Sequence, residues 1–339
     1  MDAERVMRKV AVTGGGGFIG KALVRALVDR GIEVTVIGRN PYPDLVALGV
    51  RCVRGDIREQ SAVEDGLRDC DTVFHVAAKA GVWGPQQEYF AVNCAGTTNV
   101  IAACRAQKVM RLVYTSTPSV VFNQNDLAGV DESTPYTTRP LCAYAASKIL
   151  AEREVLAAGC RELRTIALRP HLVWGPGDHH LIPRLLERGR AGQLRIVGNG
   201  DNRVDITFID NVVHAHLLAA DNLCTSGSGA GQAFFIGQEE PVVLWRWING
   251  LFARLGIPPV TRKVPLAAAY GIGMILEGIY GLLGTAKEPR MTRFLACQLA
   301  KSHWFSHRKA ERLLGYRPLI STETGLDKLV DRLREDDVV

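Results

Sequence analysis

The sequence predicts an α/β fold, a doubly wound parallel sheet carrying a smaller C-terminal α/β lobe, and three observations predict it. Short β-branched runs alternate with helical periodicity from residue 10 to residue 169. A run of four glycines stands where the first strand gives way to the first helix. Beyond Arg169, proline and glycine become frequent, at Pro170, Gly175, Pro176, Gly177 and Pro183. Strands alternating with helices require crossover connections, and these impose a parallel sheet.

In chain order, Val10 to Thr13 is the first strand, Gly14 to Gly20 a turn, Lys21 to Arg30 an amphipathic helix closed by Gly31, and Glu33 to Ile37 the second strand. The strand Arg51 to Arg54, a helix near Ala62 to Leu67, the apolar strand Thr72 to Ala77, a helix Thr97 to Gln107 and the strand Arg111 to Thr115 continue the alternation. A helix from Tyr144 to Ala157 and a strand Arg164 to Arg169 end it. The chain therefore divides into residues 1–170, a dinucleotide-binding lobe, and residues 171–339, a substrate lobe interleaved with the sheet. No internal repeat is visible.

Composition narrows the class. With 47% apolar and 22% charged residues the chain reads as globular. Its net charge of +6 is spread along the sequence without basic blocks, which argues against nucleic acid. Eight cysteines without a CxxC pair suggest reduced thiols rather than zinc or disulfides. His214 and His216 are about 200° apart on a helix, so they cannot chelate together, and no metal is expected. The stretch MDAERVMRKVAVTGGGG has no apolar signal core, so the expected location is cytoplasmic.

Gly14, Gly17 and Gly20 have the spacing of a Rossmann phosphate loop. The first permits the tight turn, the second lets backbone approach a pyrophosphate, and the third allows close helix–strand packing. Amides at the helix N-terminus then hold the phosphate charge. The second strand ends Ile37-Gly38-Arg39-Asn40, with no carboxylate to read a 2′-hydroxyl. Arg39 is suited to a 2′-phosphate, so NADP(H) is expected, with NAD(H) as the alternative. Asp56 is placed to accept from the adenine amino group, or simply to cap the next helix.

Tyr144 and Lys148, four apart on a helix, share one face. A tyrosine that exchanges a proton with a carbonyl or alcohol needs its pKa brought from about 10 toward neutrality, and a lysine ammonium does this. Thr115, Ser116, Thr117, Pro118 and Ser119 lie at the carboxyl end of a strand, where open α/β sheets bind ligands.

TGGGGFIG, YTSTPSVVF and YAASK together resemble the extended short-chain dehydrogenase/reductases. The resemblance implies that Thr117 is the third catalytic residue, with Ser116 as fallback, beside Tyr144 and Lys148. Sugar dehydratases of that superfamily carry Asp-Glu after the threonine; Pro118-Ser119 here argues against dehydration. Residues 77–85, 169–220 and 303–318 narrow the resemblance to the 3β-hydroxysteroid dehydrogenase group. Within it the chain looks most like the bacterial 2-alkyl-3-oxoalkanoate reductases of olefin biosynthesis, and next like sterol-4-carboxylate 3-dehydrogenases. The same resemblance implies cofactor contacts from Phe18, Ile19, Ile57, Ala77, Ala78, Lys79, Pro170 and Val173, and from Tyr144 and Lys148, the latter positioning the ribose. It implies substrate contacts from Ser119 and His171.

Both substrate types present an oxygen on the carbon β to a carboxylate beside a large apolar body. Candidate carboxylate ligands are His179, His180, Arg184 and Arg203. The readings are an oxidoreductase acting on CH–OH groups, in either direction; a sugar epimerase on the same machinery; and a dinucleotide sensor without catalysis. Residues 264–284 add an apolar segment in which the nineteen residues Leu266 to Gly284 carry one charge, Glu277. Five glycines and that glutamate weaken a membrane span, whereas flanking Arg262, Lys263, Lys287 and Arg290 suit a segment lying at a membrane face. The implied partners are an apolar small molecule and, as candidates, a membrane surface, a partner enzyme of a lipid pathway or a second copy.

Overall fold

The computed structural model describes residues 6–336; residues 1–5, part of the N-terminal stretch read above, and 337–339 lie outside the described residues. Seven parallel strands form the central sheet: β1 Lys9–Thr13, β2 Glu33–Gly38, β3 Arg51–Arg54, β4 Thr72–His75, β5 Arg111–Thr115, β6 Arg164–Pro170 and β7 Gln232–Ile236. Their spatial order is β7-β6-β5-β4-β1-β2-β3, so the order reverses between β1 and β4. A crevice opens at the carboxyl ends of the strands on either side of such a reversal, and ligands bind there.

The strands are near-continuous apolar runs because helices cover both faces. On one face the Phe18–Asp29 and Ile209–Cys224 helices pack Leu23, Leu27, Leu217 and Leu223 against Val10, Val12, Val113 and Leu168. On the other, the Gln60–Gly66, Gly96–Ala106 and Ala143–Ala157 helices enclose Ile37, Val73, Leu112 and Ala167. Strand β7 and the Ile209–Cys224 helix come from beyond residue 171 and complete the sheet begun by the first half of the chain.

The remaining C-terminal elements build a second core around Trp174, Phe208, Trp245, Trp247 and Phe252. A four-stranded sheet and the Arg293–Ala300 helix set this lobe against the crevice. Thr207–Phe208 pairs with Val173–Trp174, and Asp205 just before it turns inward to accept from the Phe305 amide and His307.

The helix expected from Thr97 begins much earlier. Gln86–Phe90 runs into a π-helical turn, Ala91–Ala95, and on into Gly96–Ala106. The extra residue in that turn aims Asn93 inward: its Oδ1 accepts from the Lys79 amide at 2.7 Å, and its Nδ2 donates to the Lys79 carbonyl and to Ser147 Oγ at 2.9 Å. The loop after β4 is thereby tied to the helix that carries Tyr144.

Among the described residues, the histidines His75, His171, His216 and His303 are buried. Burial holds each below its usual pKa, at about 3 for His75 and about 4 for His216. The unfolded chain takes up these protons near pH 6.5, while the folded chain resists until far lower pH, so acid favours unfolding. We expect stability, read from the urea midpoint, to fall as pH drops from 6.5 toward 4, by about 1.4 kcal/mol per pH unit for each histidine still neutral in the fold. A midpoint unchanged down to pH 5 would contradict these neutral assignments.

Candidate active site

The glycine run is dictated by close contacts. Gly14 has φ +71°, and a Cβ there would lie 2.8 Å from the Ala77 backbone at the end of β4. At Gly20 a Cβ would lie 2.2 Å from the Gly14 carbonyl oxygen, so helix and turn could not close. Gly17 meets only that carbonyl, at 3.3 Å, and is exposed; its own amide donates to the Gly14 carbonyl at 2.9 Å, so the helix-start amides after it are the ones that would face a ligand phosphate. The intervening Gly15 and Gly16 make way for Val36 and for the Tyr42 ring, which also lies against Gly38. These features suit a dinucleotide pyrophosphate.

A cleft of about 850 Å³ runs from this turn across the ends of the strands. Gly14, Gly17, Phe18, Ile19, Gly20, Arg39, Asp56 and Ile57 line its first half. Ala77, Ala78, Lys79, Thr117, Ser119, Tyr144, Lys148, Pro170, His171, Val173 and His180 line the rest. Among the residues expected for binding, His179, Arg184 and Arg203 do not line the cleft. Arg184 instead donates twice to Glu288, at 2.7 and 3.1 Å, and Arg203 is exposed over the Trp304 ring, 3.9 Å from Glu240. Of the four candidate carboxylate ligands His179, His180, Arg184 and Arg203, only His180 lines the cleft, and both guanidiniums are held on the surface of the second lobe by other partners. Asp56 has both carboxylate oxygens engaged by Arg58, which keeps its pKa low and fixes its orientation.

Around the reacting position, the Thr117 hydroxyl lies between Ser119, at 3.2 Å, and the Tyr144 phenol. Tyr144 is half-buried and faces the cleft, and burial pushes its phenol up to about 12, with the Thr117 hydroxyl pulling the other way. Lys148 is fully buried, donates to the Thr115 carbonyl at 2.7 Å and lies 4.1 Å over the Tyr114 ring. Desolvation brings its ammonium down to about 7, opposed by the negative charge of Glu152. The expected lowering of the Tyr144 pKa by Lys148 is therefore not seen: desolvation of both groups prevails, and the ammonium is directed at a backbone carbonyl.

The hydrogen bonds assign the neighbouring tautomers. His216 Nδ1 lies 2.7 Å from the Val212 carbonyl, which only accepts, so Nε2 accepts from the Thr115 hydroxyl at 2.7 Å. His303 Nε2 likewise donates to the Gln298 carbonyl, so its Nδ1 accepts from His171 Nε2 at 2.6 Å. His171 is left with Nδ1 as an acceptor.

Beneath Thr117 lies a buried carboxylate. Glu152 is one helical turn beyond Lys148 and receives Arg169 Nε at 3.1 and 3.2 Å and Nη2 at 2.5 Å. It also accepts from the Tyr136 hydroxyl at 2.7 Å and from Ser116. Ser116, the fallback for Thr117, thus commits its proton to Glu152.

Glu152, Asn93, Tyr42, Arg58, Phe294 and Gln298 were not among the expected site residues. Glu152 had a legible signal, since Tyr144, Lys148 and Glu152 repeat at intervals of four on one helix. Phe294 and Gln298 had none, because only tertiary packing brings the Arg293–Ala300 helix to the cleft.

The chain matches the model of the 3-beta hydroxysteroid dehydrogenase/isomerase family over residues 11–266. It is 48% identical to the 2-alkyl-3-oxoalkanoate reductase of Stenotrophomonas maltophilia, covering 95% of this chain and 98% of that protein. The enzyme of the same name from Shewanella oneidensis is also 48% identical, over 94% of this chain and 84% of its own length. The mouse sterol-4-alpha-carboxylate 3-dehydrogenase, decarboxylating, is 33% identical over 97% and 92% of the two chains. Among solved structures, MoeE5 in complex with UDP-glucose and NAD superposes with a TM-score of 0.75 at 28% identity, covering 97% of this chain and 99% of that one. On fold, cleft and sequence alike, the chain belongs to the 3-beta hydroxysteroid dehydrogenase/isomerase family.

Proposed function

We propose that this chain is an NADP(H)-dependent reductase that converts a 3-keto group to a 3-hydroxyl on a large apolar, carboxylated substrate, as the name of its 48%-identical relatives describes. Family membership makes it an oxidoreductase acting on CH–OH groups. The observation that carries the finer reading is the meeting of Thr117, Tyr144 and Lys148 in one cleft with the glycine turn.

Reduced nicotinamide, when bound, supplies the hydride. The protein handles the proton and the geometry. Thr117 donates a hydrogen bond to the substrate carbonyl oxygen and holds it beside the phenol. Tyr144 gives its proton to that oxygen; burial keeps the phenol protonated until that step. Lys148, anchored on the Thr115 carbonyl in the same cleft, is assigned to positioning the cofactor's ribose. With Arg184 and Arg203 outside the cleft, Ser119, His180 and Gln298 are the polar groups we assign to the substrate's carboxylate end, while His171, whose free Nδ1 only accepts, suits a hydroxyl donor.

NADPH is preferred because the chain leaves β2 through Arg39 rather than through a carboxylate that could bind a ribose 2′-hydroxyl, and the nearby Asp56 carboxylate is taken by Arg58. Arg39→Ala is expected to raise KM for NADPH about tenfold and leave KM for NADH unchanged. Steady-state rates with both cofactors measure this, and equal changes would overturn the preference.

The 33% identity to the sterol enzyme favours a second reading, oxidation of a 3-hydroxy-4-carboxysterol by the same groups in reverse. The β-keto acid so formed can lose carbon dioxide without another protein group. Turnover of a 2-alkyl-3-ketoacid but not of a 4-carboxysterol supports the reductase; the opposite pattern supports the sterol reading. Cofactor binding without turnover on either leaves a sensor. We place the protein in the cytoplasm, peripherally associated with a membrane or with a partner enzyme of a lipid pathway, and a homodimer is compatible with its fold.

A further inference from the structure

His171 is 6% exposed and lines the cleft, yet its ring is held from behind. Its Nε2 donates to His303 Nδ1, and His303 Nε2 donates to the Gln298 carbonyl at 2.8 Å. A backbone carbonyl has no proton to give, so both protons of this relay run one way and both tautomers are fixed. The His171 ring stands edge-on to His303, with 4.7 Å between centroids, and to Phe305, at 5.7 Å, which braces it on two sides. His303 is anchored in turn, because its strand His303–Phe305 pairs with Leu127–Val130 and its carbonyl accepts from the Asp205 amide at 3.0 Å. Nδ1 of His171 has no partner among the described residues and opens on the cleft. Burial holds both rings neutral, so this nitrogen can only accept.

The sheet fixes what lies near it. Strands β5 and β6 pair with Thr115 opposite Leu168, and the Ser116 amide donates to the Leu168 carbonyl at 2.6 Å. Continued past the strand ends, this register sets Thr117 beside Pro170, with His171 next along the chain. Thr117 is the residue assigned above to the substrate's 3-oxygen.

Hydrogen-bond accounting separates the two forms of that oxygen. A ketone oxygen has two lone pairs and no proton, and the Thr117 and Tyr144 hydroxyls satisfy both. The alcohol made from it carries the proton that Tyr144 gave up, and while the phenolate persists that proton points back to it. Once solvent returns a proton to the phenol, Thr117 and Tyr144 again donate to the oxygen, and the alcohol's own proton needs an acceptor. A buried hydroxyl left without one is costly.

We propose that His171 Nδ1 is that acceptor, a specificity-determining group that makes the site hold the 3-hydroxy product more tightly than the 3-keto substrate. His303 is the positioning residue that keeps Nδ1 free of a proton. The proposal deepens the reductase reading above and rests on it.

Binding is measured by calorimetry on the full chain in two complexes that cannot react, the 2-alkyl-3-ketoacid with oxidised cofactor and the 2-alkyl-3-hydroxyacid with NADPH. His171→Leu is expected to weaken the hydroxyacid about tenfold and to leave the ketoacid within about twofold. His171→Asn, whose side-chain oxygen can stand where Nδ1 stands, should recover most of the loss. His303→Leu, which leaves the cleft lining intact but frees the tautomer, should also weaken the hydroxyacid alone. Equal weakening of both ligands by His171→Leu, or a hydroxyacid that binds it as well as wild type, overturns the proposal.

Should the leucine variants fail to fold, wild-type protein carrying isotopically labelled histidine answers the same question by nitrogen magnetic resonance. The His171 Nδ1 signal, identified by its absence in His171→Asn, is expected at the position of an unprotonated ring nitrogen. It should move upfield when the hydroxyacid binds and stay in place with the ketoacid. No movement, or the same movement with both, overturns the proposal. A wild-type chain that turns over no 3-ketoacid removes the reductase reading and the proposal with it, whereas turnover with equal effects on both ligands removes only the role of His171.

Discussion

Tyr144→Phe is expected to lower kcat for ketone reduction by about a hundredfold to ten-thousandfold, the range for loss of a positioned general acid. The ring is kept, and with it the packing of the Ala143–Ala157 helix, so the unfolding midpoint should stay put. Cofactor affinity, followed by quenching of protein fluorescence, should also hold, because the glycine turn and Arg39 lie elsewhere in the cleft. The loss should therefore fall on kcat rather than on KM for the cofactor. A variant with wild-type turnover would remove the phenol from the reaction.

The second large effect concerns stability. Glu152 is wholly buried, and its carboxylate is the counter-ion of Arg169, itself 4% exposed. In Glu152→Ala the guanidinium stays buried with no opposite charge, and such an orphaned ion costs about 3 to 5 kcal/mol. Ser116 and Tyr136 lose their acceptor as well. The urea midpoint should fall accordingly, with little change in slope. Replacing both members, as in Glu152→Leu with Arg169→Met, should restore most of the loss, since neither charge is then desolvated. A midpoint unmoved by Glu152→Ala would show that the pair contributes nothing to the fold. Because Ser116 adjoins Thr117, Glu152→Ala should also displace the Thr117 hydroxyl and lower kcat.

The sheet was legible because each strand is written locally. Val73 to Phe74 and Leu112 to Tyr114 are large and mostly apolar on both faces, and the glycine spacing marks a junction where backbone must approach backbone. The candidate site was legible for the same reason, since four-residue spacing sets Tyr144 and Lys148 on one helix, and both line the cleft. What escaped depends on distance in space. Whether Arg184 reaches the cleft is decided by Glu288, more than a hundred residues away. Whether Lys148 acidifies Tyr144 is decided by burial and by the direction of its side chain toward the Thr115 carbonyl. The π turn that aims Asn93 interrupts a helix that reads as regular from its composition.

The most direct test follows the hydride itself. NADPH deuterated at the transferable position is mixed with the full chain and a 2-alkyl-3-ketoacid, and the product is examined by mass spectrometry. A single deuterium on the carbon that becomes the 3-hydroxyl carbon, formed in proportion to NADPH consumed, is the predicted result. Recovery of unreacted ketoacid with the cofactor bound and still fully deuterated would contradict it.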